Sequence, residues 1–482
     1  MNPPSQGPPG DLPPEEFRRL AHEVADWIAD YREGIEGFPV FPDVRPGFLR
    51  EALPADPPRK GESMDAILED FRRDVLPGIT HWNHPSFHAW FAISGSGPGV
   101  LGEMIAAALN VNAMVWRASP AATELEEHTL DWLRGALGLP EAFRGAINDT
   151  ASHSTLYALA AARELAAPEQ REVGLSGGPP LRCYASAEAH SSVDKAVLTL
   201  GLGREGMVRV ATNRVFEMDV DALRSAIRRD REAGRRPMAV VATIGTTSTT
   251  SVDPVAAVSE VCREEGIWLH VDAAYGGPLA LLPELHDLFH GWEAADSVVV
   301  NPHKWLFTPV DCSVLYCRRP EALRRAFSLV PEYLRAVEEG GTDLMDYGVA
   351  LGRRFRSLKL WFVIRAFGLD GLRERLRHHL ELAGEWAARV ESTPGWELAA
   401  PCPMATPIFR WIGDGLAPEE ADAFNEALMN RVNRTGDAFL SHTGVNGRVA
   451  LRLSIGNIQT GRRHLAATWS RLEHEARALA KA

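Results

Sequence analysis

The sequence lacks the features that mark secreted and membrane proteins. Its 482 residues include five cysteines, an odd number with no C-x-x-C pair, which is typical of free thiols in a reducing, cytosolic setting. No apolar run approaches the roughly 18 residues that a membrane-spanning helix needs. The N-terminal stretch MNPPSQGPPGDLPP has neither the basic start nor the apolar core of a signal peptide. We therefore predict a cytoplasmic protein.

An excess of positive charge is also missing. The formal net charge is −13, which argues against a nucleic-acid-binding protein and gives no reason for attraction to anionic membranes. Hydrophobic residues make up 45% of the chain and charged residues 24%, an ordinary globular composition with enough apolar material for a large core. The length predicts about two to four domains.

The first part of the chain is predicted to consist of helices joined by extended segments. Residues 1–13 are rich in proline and predict a disordered tail. Apolar residues at three-to-four-residue spacing from Phe17 to Tyr31 predict a helix, and we expect a second from Met64 to Asp74. Because residues 14–95 offer little for a core of their own, we expect this helical segment to pack on something else, such as a second subunit.

The rest of the chain divides into two predicted domains. Within residues 96–365, apolar strand-like runs such as MAVVATIG, IWLHVDAA and DSVVV alternate with helical patterns. Near-continuous apolar strands between helices predict a mostly parallel α/β sheet. Residues 366–482 contain a long helical pattern, two short strands and a final helix, which predict a small α+β C-terminal domain.

Two motif-like stretches carry little weight in their context. GLGREG at 201–206 matches a dinucleotide-binding pattern, but a helix precedes it and a strand follows, the reverse of what that motif requires. In HWNHPSFH, the proline opposes a helix that would align His84 and His88, and no cysteine or carboxylate cluster completes a metal site. We predict no metal, and surface positions for His378 and His379.

Reactive side chains follow four of the predicted strands, where ligands of parallel sheets bind. These strand-end residues are Asp272, Asn301, His303, Lys304, His190, Thr246 and Thr247. Taken singly, each has an ordinary structural interpretation. Asp272 could be a helix cap or an ion-pair partner, His190 a neighbour of a helix start, and Lys304 a side chain that reaches into water.

Together the strand-end residues favour a pyridoxal phosphate site. A buried lysine can form a Schiff base with a carbonyl compound, and an acidic partner at the pyridine nitrogen lets the ring act as an electron sink. Lys304 and Asp272 can supply these two groups. The stretch NDTASHST places Ala151 and Ser152 at the start of an alanine-rich helix, whose N-terminus suits a phosphate. We expect His190 to stack on the ring.

The sequence resembles the pyridoxal-phosphate-dependent group II decarboxylases of the aromatic-L-amino-acid decarboxylase type. The resemblance rests on NPHKW with HVDAAYGG about thirty residues earlier, and on EEFRRLAHEVADWIADYREGIEG, FPDVRPGFLR, SPAATELE and LGRRFRSLKLWFVIRAFG. It implies the PLP-dependent transferase fold of type I, with a mostly parallel seven-stranded sheet. It also implies a homodimer in which the N-terminal segment wraps the partner subunit and the active site lies at the interface.

The resemblance also implies roles for individual residues. The catalytic residues would be Lys304, Tyr333, His190 and Asp272. The cofactor would contact Ala151, Ser152, His190, Thr247, Asp272, Ala274, Ser297, Asn301, His303 and Lys304. The substrate would contact Trp82, Trp90, Phe91, Ile93, Asn112, Met114, Gly352 and Arg452. Tyr333 matches a catalytic tyrosine in a loop that is typical of a mobile lid, and it would protonate Cα after CO₂ is lost.

Departures from the family pattern bear on the substrate. The phosphate stretch NDTASHST lacks the usual glycine-containing lead-in, and Ala92 and Ile93 stand where relatives often carry proline and threonine. Ile93 offers no hydrogen bond to a phenol or catechol, and Gly352 leaves space for an indole. These features favour tryptophan, followed by phenylalanine, tyrosine and dihydroxyphenylalanine.

Other functions stay open at this point. An aromatic aldehyde synthase, which decarboxylates and then oxidatively deaminates, is the nearest alternative, and Tyr333 argues against it. A glutamate-type decarboxylase is less favoured because no basic cluster in the pocket stretches would meet a second carboxylate. A catalytically inactive binding homologue would use the same fold, but it has no need of Lys304, Asp272, His190 and Tyr333 together.

Overall fold

The computed structural model describes residues 10–329, 341–413 and 417–481. Its helices are α1 Pro14–Glu33, α2 Phe48–Ala52, α3 Met64–Asp70, α4 Gly97–Leu109, α5 Pro120–Ala136, α6 Ala151–Ala166, α7 Gln170–Val173, α8 Ser192–Thr199, α9 Val220–Glu232, α10 Val255–Glu265, α11 Pro302–Trp305, α12 Pro320–Phe327, α13 Ser357–Ser392, α14 Pro418–Arg434 and α15 Arg462–Leu479. Its strands are β1 Arg144–Asn148, β2 Leu181–Ser186, β3 Met207–Val210, β4 Arg236–Thr243, β5 Trp268–Asp272, β6 Ser297–Val300, β7 Ser313–Cys317, β8 Trp396–Leu398, β9 Ile408–Trp411, β10 Ser441–Val445 and β11 Arg448–Arg452. No helix in these ranges is long and apolar enough to cross a bilayer.

The centre of the molecule is a seven-stranded sheet in the order β1-β7-β6-β5-β4-β2-β3. The pairs from β3 through β2, β4 and β5 to β6 are parallel, and β7 runs antiparallel to both β6 and β1. Every residue of β2, β5 and β6 is buried, because the strands lie beneath packed helices. The predicted mostly parallel α/β sheet is therefore confirmed.

A second, smaller sheet lies in the C-terminal part of the chain. It is antiparallel, in the order β10-β11-β9-β8, and α14 and α15 pack beside it. Strands β9 and β11 match the two predicted strands. Strands β8, with sequence WEL, and β10, with SHTGV, were not predicted because they are short and carry no clear apolar alternation.

Helix α13 runs from the large sheet towards the small one and is broken at Gly368, where φ is +63°. That conformation is disfavoured for any residue with a Cβ atom, so glycine marks the break. The predicted domain boundary between residues 365 and 366 falls within this helix, close to the break. It stays a prediction, as does the disorder of the tail, of which residues 1–9 lie outside the described ranges.

One surface prediction was wrong. His378 has 40% of its side chain exposed, but His379 is buried. The Nδ1 atom of His379 accepts a hydrogen bond from Trp305 Nε1 at 2.9 Å, and its Nε2 lies 3.1 Å from the carbonyl oxygen of Asn457. Burial lowers the pKa of His379 to about 3, so the ring is neutral and links Trp305 of α11 to Asn457, which lies just before α15.

Candidate active site

A cavity of about 280 Å³ opens at the carboxyl ends of β4, β5 and β6. Its lining residues are Trp82, Trp90, Phe91, Ile93, Thr150, Ala151, Ser152, His190, Thr243, Gly245, Thr247, Asp272, Ala274, Tyr275, Asn301, His303 and Lys304. Most of the predicted cofactor residues and four of the predicted substrate residues are in this list. The cavity thus lies at the edge of the sheet that the strand-end residues predicted.

Lys304 lies four residues after the end of strand β6. Asn301 and Pro302 end that strand, and Lys304 lies in the four-residue helix α11. Burial lowers the pKa of its ammonium group, the nearby Asp272 carboxylate opposes this shift, and the Arg452 guanidinium adds to it. Its Nζ atom lies 4.8 Å from the centre of the Phe91 ring. A lysine with a lowered pKa has more of the neutral amine that attacks a carbonyl carbon.

Asp272 is the last residue of β5. It is 6% exposed, and its Oδ1 accepts a hydrogen bond from the backbone N–H of Ala274 at 3.1 Å. The parallel register places it beside Thr243 of β4 and Val299 of β6. The carboxylate is therefore held at the floor of the cavity by the sheet itself.

His190 lies in the turn between β2 and α8. Its Nδ1 accepts a hydrogen bond from the backbone N–H of Ser192 at 3.1 Å and lies 2.9 Å from the Ser192 hydroxyl. Because Nδ1 accepts, the proton of the neutral ring is on Nε2. Desolvation lowers the pKa of His190, and the Asp272 carboxylate partly opposes that shift. The ring thus offers the cavity an N–H donor.

His303 and Asn301 form a second polar group in the cavity. The Nδ1 of His303 accepts from the backbone N–H of Cys312 at 2.9 Å, and burial lowers the pKa of this imidazole to about 3. The neutral ring therefore carries its proton on Nε2, which lies 3.3 Å from the side-chain amide of Asn301. Because this N–H donates, the amide atom that faces it must be the oxygen. The Asn301 NH₂ group is then left to donate to a ligand.

Aromatic rings form the other walls. Phe91 stacks on Tyr275 at 3.8 Å between ring centres, and Tyr275 stacks on Trp305 at 4.7 Å. At the mouth, Trp82 and Trp90 stack at 5.3 Å and are 37% and 50% exposed. These faces suit a flat apolar side chain.

Several predicted site residues lie elsewhere in this chain. Ser297 does not line the cavity, since its hydroxyl accepts from Trp268 Nε1 and contacts His270 Nδ1, each at 2.9 Å. Arg452 lies behind the wall, with its guanidinium carbon 5.2 Å from the Phe91 ring centre. Tyr333 lies outside the described residues.

Three predicted substrate residues, Asn112, Met114 and Gly352, form a separate group outside the cavity. The Asn112 oxygen accepts from the backbone N–H of Arg353 at 3.0 Å, and its amide nitrogen lies 3.3 Å from the Met114 sulfur. A Cβ atom on Gly352 would lie 4.0 Å from the same amide nitrogen.

Some residues that line the cavity were not among the predicted contacts. Thr243 and Gly245 come at the end of β4, just before the predicted Thr247, and the strand-end rule applied to every position there would have found them. Tyr275 belongs to the quoted stretch HVDAAYGG, but only the three-dimensional stack shows that its ring forms part of the wall.

The residues present fit pyridoxal phosphate. The cavity holds a lysine with a lowered pKa and a buried carboxylate, and Asn301 has a buried amide atom without a partner among the described residues. Ala151 and Ser152 begin α6, where backbone N–H groups have no partner within the helix and favour an anion. In the described part of the chain, no cluster of three His, Cys, Asp or Glu side chains could hold a metal ion.

Comparisons with known proteins agree on one family. The model described as the pyridoxal-dependent decarboxylase conserved domain matches residues 46–412. The chain is 40% identical to an aromatic-L-amino-acid decarboxylase from Sus scrofa over 95% of each protein, and 38% identical to a phenylacetaldehyde synthase from Arabidopsis thaliana over 96% of each. A crystal structure of Oryza sativa TDC with PLP and tryptamine superposes with a TM-score of 0.94 at 36% identity, covering 98% of this chain and 99% of that one.

Proposed function

The chain belongs to the family of pyridoxal-dependent decarboxylases, and we propose that it converts L-tryptophan, ahead of other aromatic L-amino acids, to the amine and CO₂. It is an enzyme of the aromatic-L-amino-acid decarboxylase type, and its cofactor is pyridoxal phosphate. The observation that carries the proposal is the placement of Lys304 and Asp272 in one cavity that aromatic rings enclose.

The polar side chains of the cavity divide the binding task. When bound, pyridoxal phosphate supplies an electron sink for the charge left at Cα as CO₂ departs. Asp272 would keep a proton on the pyridine nitrogen, and Asn301 with the start of α6 would hold the phosphate. Lys304 would anchor the cofactor through Nζ, and the His190 ring would cover one face of the cofactor ring.

The proton that replaces CO₂ at Cα needs an acid on the substrate side of the cavity. We assign it to Tyr333, whose place in the sequence matches the catalytic tyrosine of the family. A general acid in that position gives the amine, because protonation of Cα neutralises the negative charge there before oxygen can react with it. The Lys304 amine can then take part in releasing the product.

The preference for tryptophan rests on the outer walls. Trp82, Trp90 and Phe91 present flat apolar faces, and Ile93 offers no hydrogen bond to a ring hydroxyl. These outer walls give the hydroxyl groups of a phenol or catechol no compensation for lost water, and they penalise the single N–H of an indole less. The rice TDC structure, which contains tryptamine, is similar to this chain over nearly its whole length.

We propose that the active enzyme is a homodimer in the cytoplasm. Helix α4 exposes an apolar face made of Leu101, Met104, Ile105 and Leu109, which are between 39% and 56% exposed. A face of this kind is typical of a protein–protein interface. The separate group of Asn112, Met114 and Gly352 would then complete the cavity of the partner subunit. The five cysteines are free, as in a reducing compartment.

An aldehyde synthase is the second candidate, because one relative carries that name. The purified enzyme should be incubated with pyridoxal phosphate and, separately, with tryptophan, phenylalanine, tyrosine and dihydroxyphenylalanine, and amine, aldehyde and peroxide should be measured together. We expect amine without peroxide, with the highest kcat/KM for tryptophan. Aldehyde and peroxide in equal amounts would establish the synthase instead, and a preference for tyrosine would overturn the substrate assignment.

A further inference from the structure

Three buried cations lie close together in the sequence, outside the cofactor cavity. Arg353, Arg356 and Lys359 lie three residues apart where the chain enters α13, and none of them lines the cavity. Arg353 is 8% exposed, Lys359 is 0% exposed, and the Arg356 side chain is 11% exposed. Buried cations of this kind need acidic partners.

The three cations hold different segments. Arg353 donates to Glu126 at 2.7 Å and to the carbonyl oxygen of Ile147 at 2.8 Å, which secures strand β1. Lys359 Nζ lies 3.0 Å from Glu103 on α4. Lys359 Nζ also lies 3.5 Å from Asp311 Oδ1. None of these three carboxylates directly precedes or follows, in the sequence, a residue that lines the cavity.

Arg356 differs because one of its partners, Asp149, directly precedes Thr150, which lines the cavity. Its Nη2 donates to Asp149 Oδ1 at 2.5 Å and to Asp311 Oδ2 at 3.1 Å, and its Nε donates to the same Asp311 oxygen at 3.2 Å. Asp149 is two residues before Ala151, at the start of α6. Asp311 precedes Cys312, whose N–H fixes the His303 ring.

The charge on Asp149 gives this contact a specific consequence. Asp149 lies two residues before the first residue of α6, whose N-terminus would receive the dianionic phosphate of the cofactor, and neighbouring like charges repel. The carboxylate is 49% exposed, so water screens it only in part. A cation on Asp149 removes that repulsion.

We propose that Arg356 is a positioning residue that neutralises Asp149 and so allows the start of α6 to bind the cofactor phosphate. This inference rests on the phosphate site proposed above. It predicts that loss of Arg356 weakens cofactor binding because Asp149 loses its guanidinium partner and keeps the His153 ring, whose Nδ1 lies 3.8 Å from Asp149 Oδ2. Removing the Asp149 charge as well should then restore binding.

The test uses full-length protein stripped of cofactor and two probes, pyridoxal phosphate and pyridoxal, which lacks the phosphate. Equilibrium binding is measured for the wild type, Arg356→Gln, Asp149→Asn and the double variant. We expect Arg356→Gln to weaken pyridoxal phosphate binding about tenfold and the double variant to return to within about threefold of the wild type. Pyridoxal binding should change by less than about twofold in all of them, since pyridoxal carries no phosphate to repel.

The matched control is Arg377→Gln on α13, which removes an exposed ion pair with Glu284. Binding of both probes should be unchanged in this variant. If Arg356→Gln folds poorly by circular dichroism, Arg356→Lys, which keeps one positive charge, should show the same pattern with a smaller change. Equal weakening of both probes, or no recovery in the double variant, overturns the inference. Failure of the wild type to bind pyridoxal phosphate would instead overturn the proposed phosphate site.

Discussion

At the inner end of the cavity, polar side chains stand on the ends of buried strands, whereas at the outer end two indoles stack on a loop. Asp272 and Lys304 are placed by β5 and by the turn after β6. Trp90, in contrast, has a φ of +49° and its backbone N–H donates to the hydroxyl of Ser441, on β10 of the small sheet, at 2.9 Å. The inner end is thus fixed by the large sheet, and the outer end by a contact between a loop and the small sheet.

This difference separates two tasks. Groups that stand on a sheet are held rigidly enough for bond making and breaking, which demand fixed geometry. Stacked rings on a loop can adjust to different side chains, which is what selection among related substrates requires. Changes at the inner end should therefore lower kcat for every substrate, and changes at the outer end should mainly alter KM and preference.

The largest effect is expected for Lys304→Ala. We expect kcat to fall by roughly a thousandfold or more for every aromatic substrate, because both the anchor and a proton-transfer group are lost. Borohydride reduction followed by peptide mass spectrometry should find the cofactor on Lys304 in the wild type and on no residue in the variant. Lys195→Ala, an exposed lysine on α8, is the control and should keep full activity. Substantial turnover by Lys304→Ala would remove this lysine from the reaction.

A smaller effect is expected for Trp90→Ala. Loss of the stacked pair with Trp82 removes an aromatic interaction of about 0.5–1.5 kcal/mol together with apolar contact area, so KM for tryptophan should rise about tenfold. The value of kcat should change by less than about twofold, because the inner end is intact. Steady-state kinetics can test this, with the exposed Trp132→Ala on α5 as control. A fall in kcat equal to the rise in KM would mean that the two ends are not separate.

The smallest effect is expected for Ile93→Thr. A hydroxyl at this half-buried position can pair with a ring hydroxyl of the substrate, and a hydrogen bond of about 0.5–1.5 kcal/mol should shift kcat/KM towards tyrosine over tryptophan by about threefold. Ile93→Val removes a methyl group without adding a hydroxyl and serves as the control. Equal shifts in both variants would show that space, and not hydrogen bonding, governs the preference at residue 93.

The inner end could be predicted closely from the sequence because its signals are local. Lys304 and Asp272 follow short apolar strands, and parallel strands bring their carboxyl ends to one edge. The same short apolar strands explain why the central sheet could be predicted. Ser297 shows the limit of local signals: it begins β6 instead of ending it, and its hydroxyl lies beside His270 and Trp268.

The rest depended on contacts between distant segments. The basic surroundings of His379 predict a surface position, but its spacing from the buried Leu376 and Ala383 of α13 places it on the same buried stripe. That signal was present in the sequence. The contact between Arg356 and Asp149 has no such signal, because the two partners are 207 positions apart in the sequence.

The hydrogen bond between Trp305 and His379 also has a consequence for the order in which the chain can fold during its synthesis. The two residues are 74 positions apart, and Trp305 is the direct neighbour of Lys304. At about 5–20 residues per second, a ribosome needs roughly 4 to 15 s to make the intervening chain. During that interval the indole beside the reactive lysine has no histidine partner, so the packing behind Lys304 is completed only after α13 has emerged beyond His379 and docked.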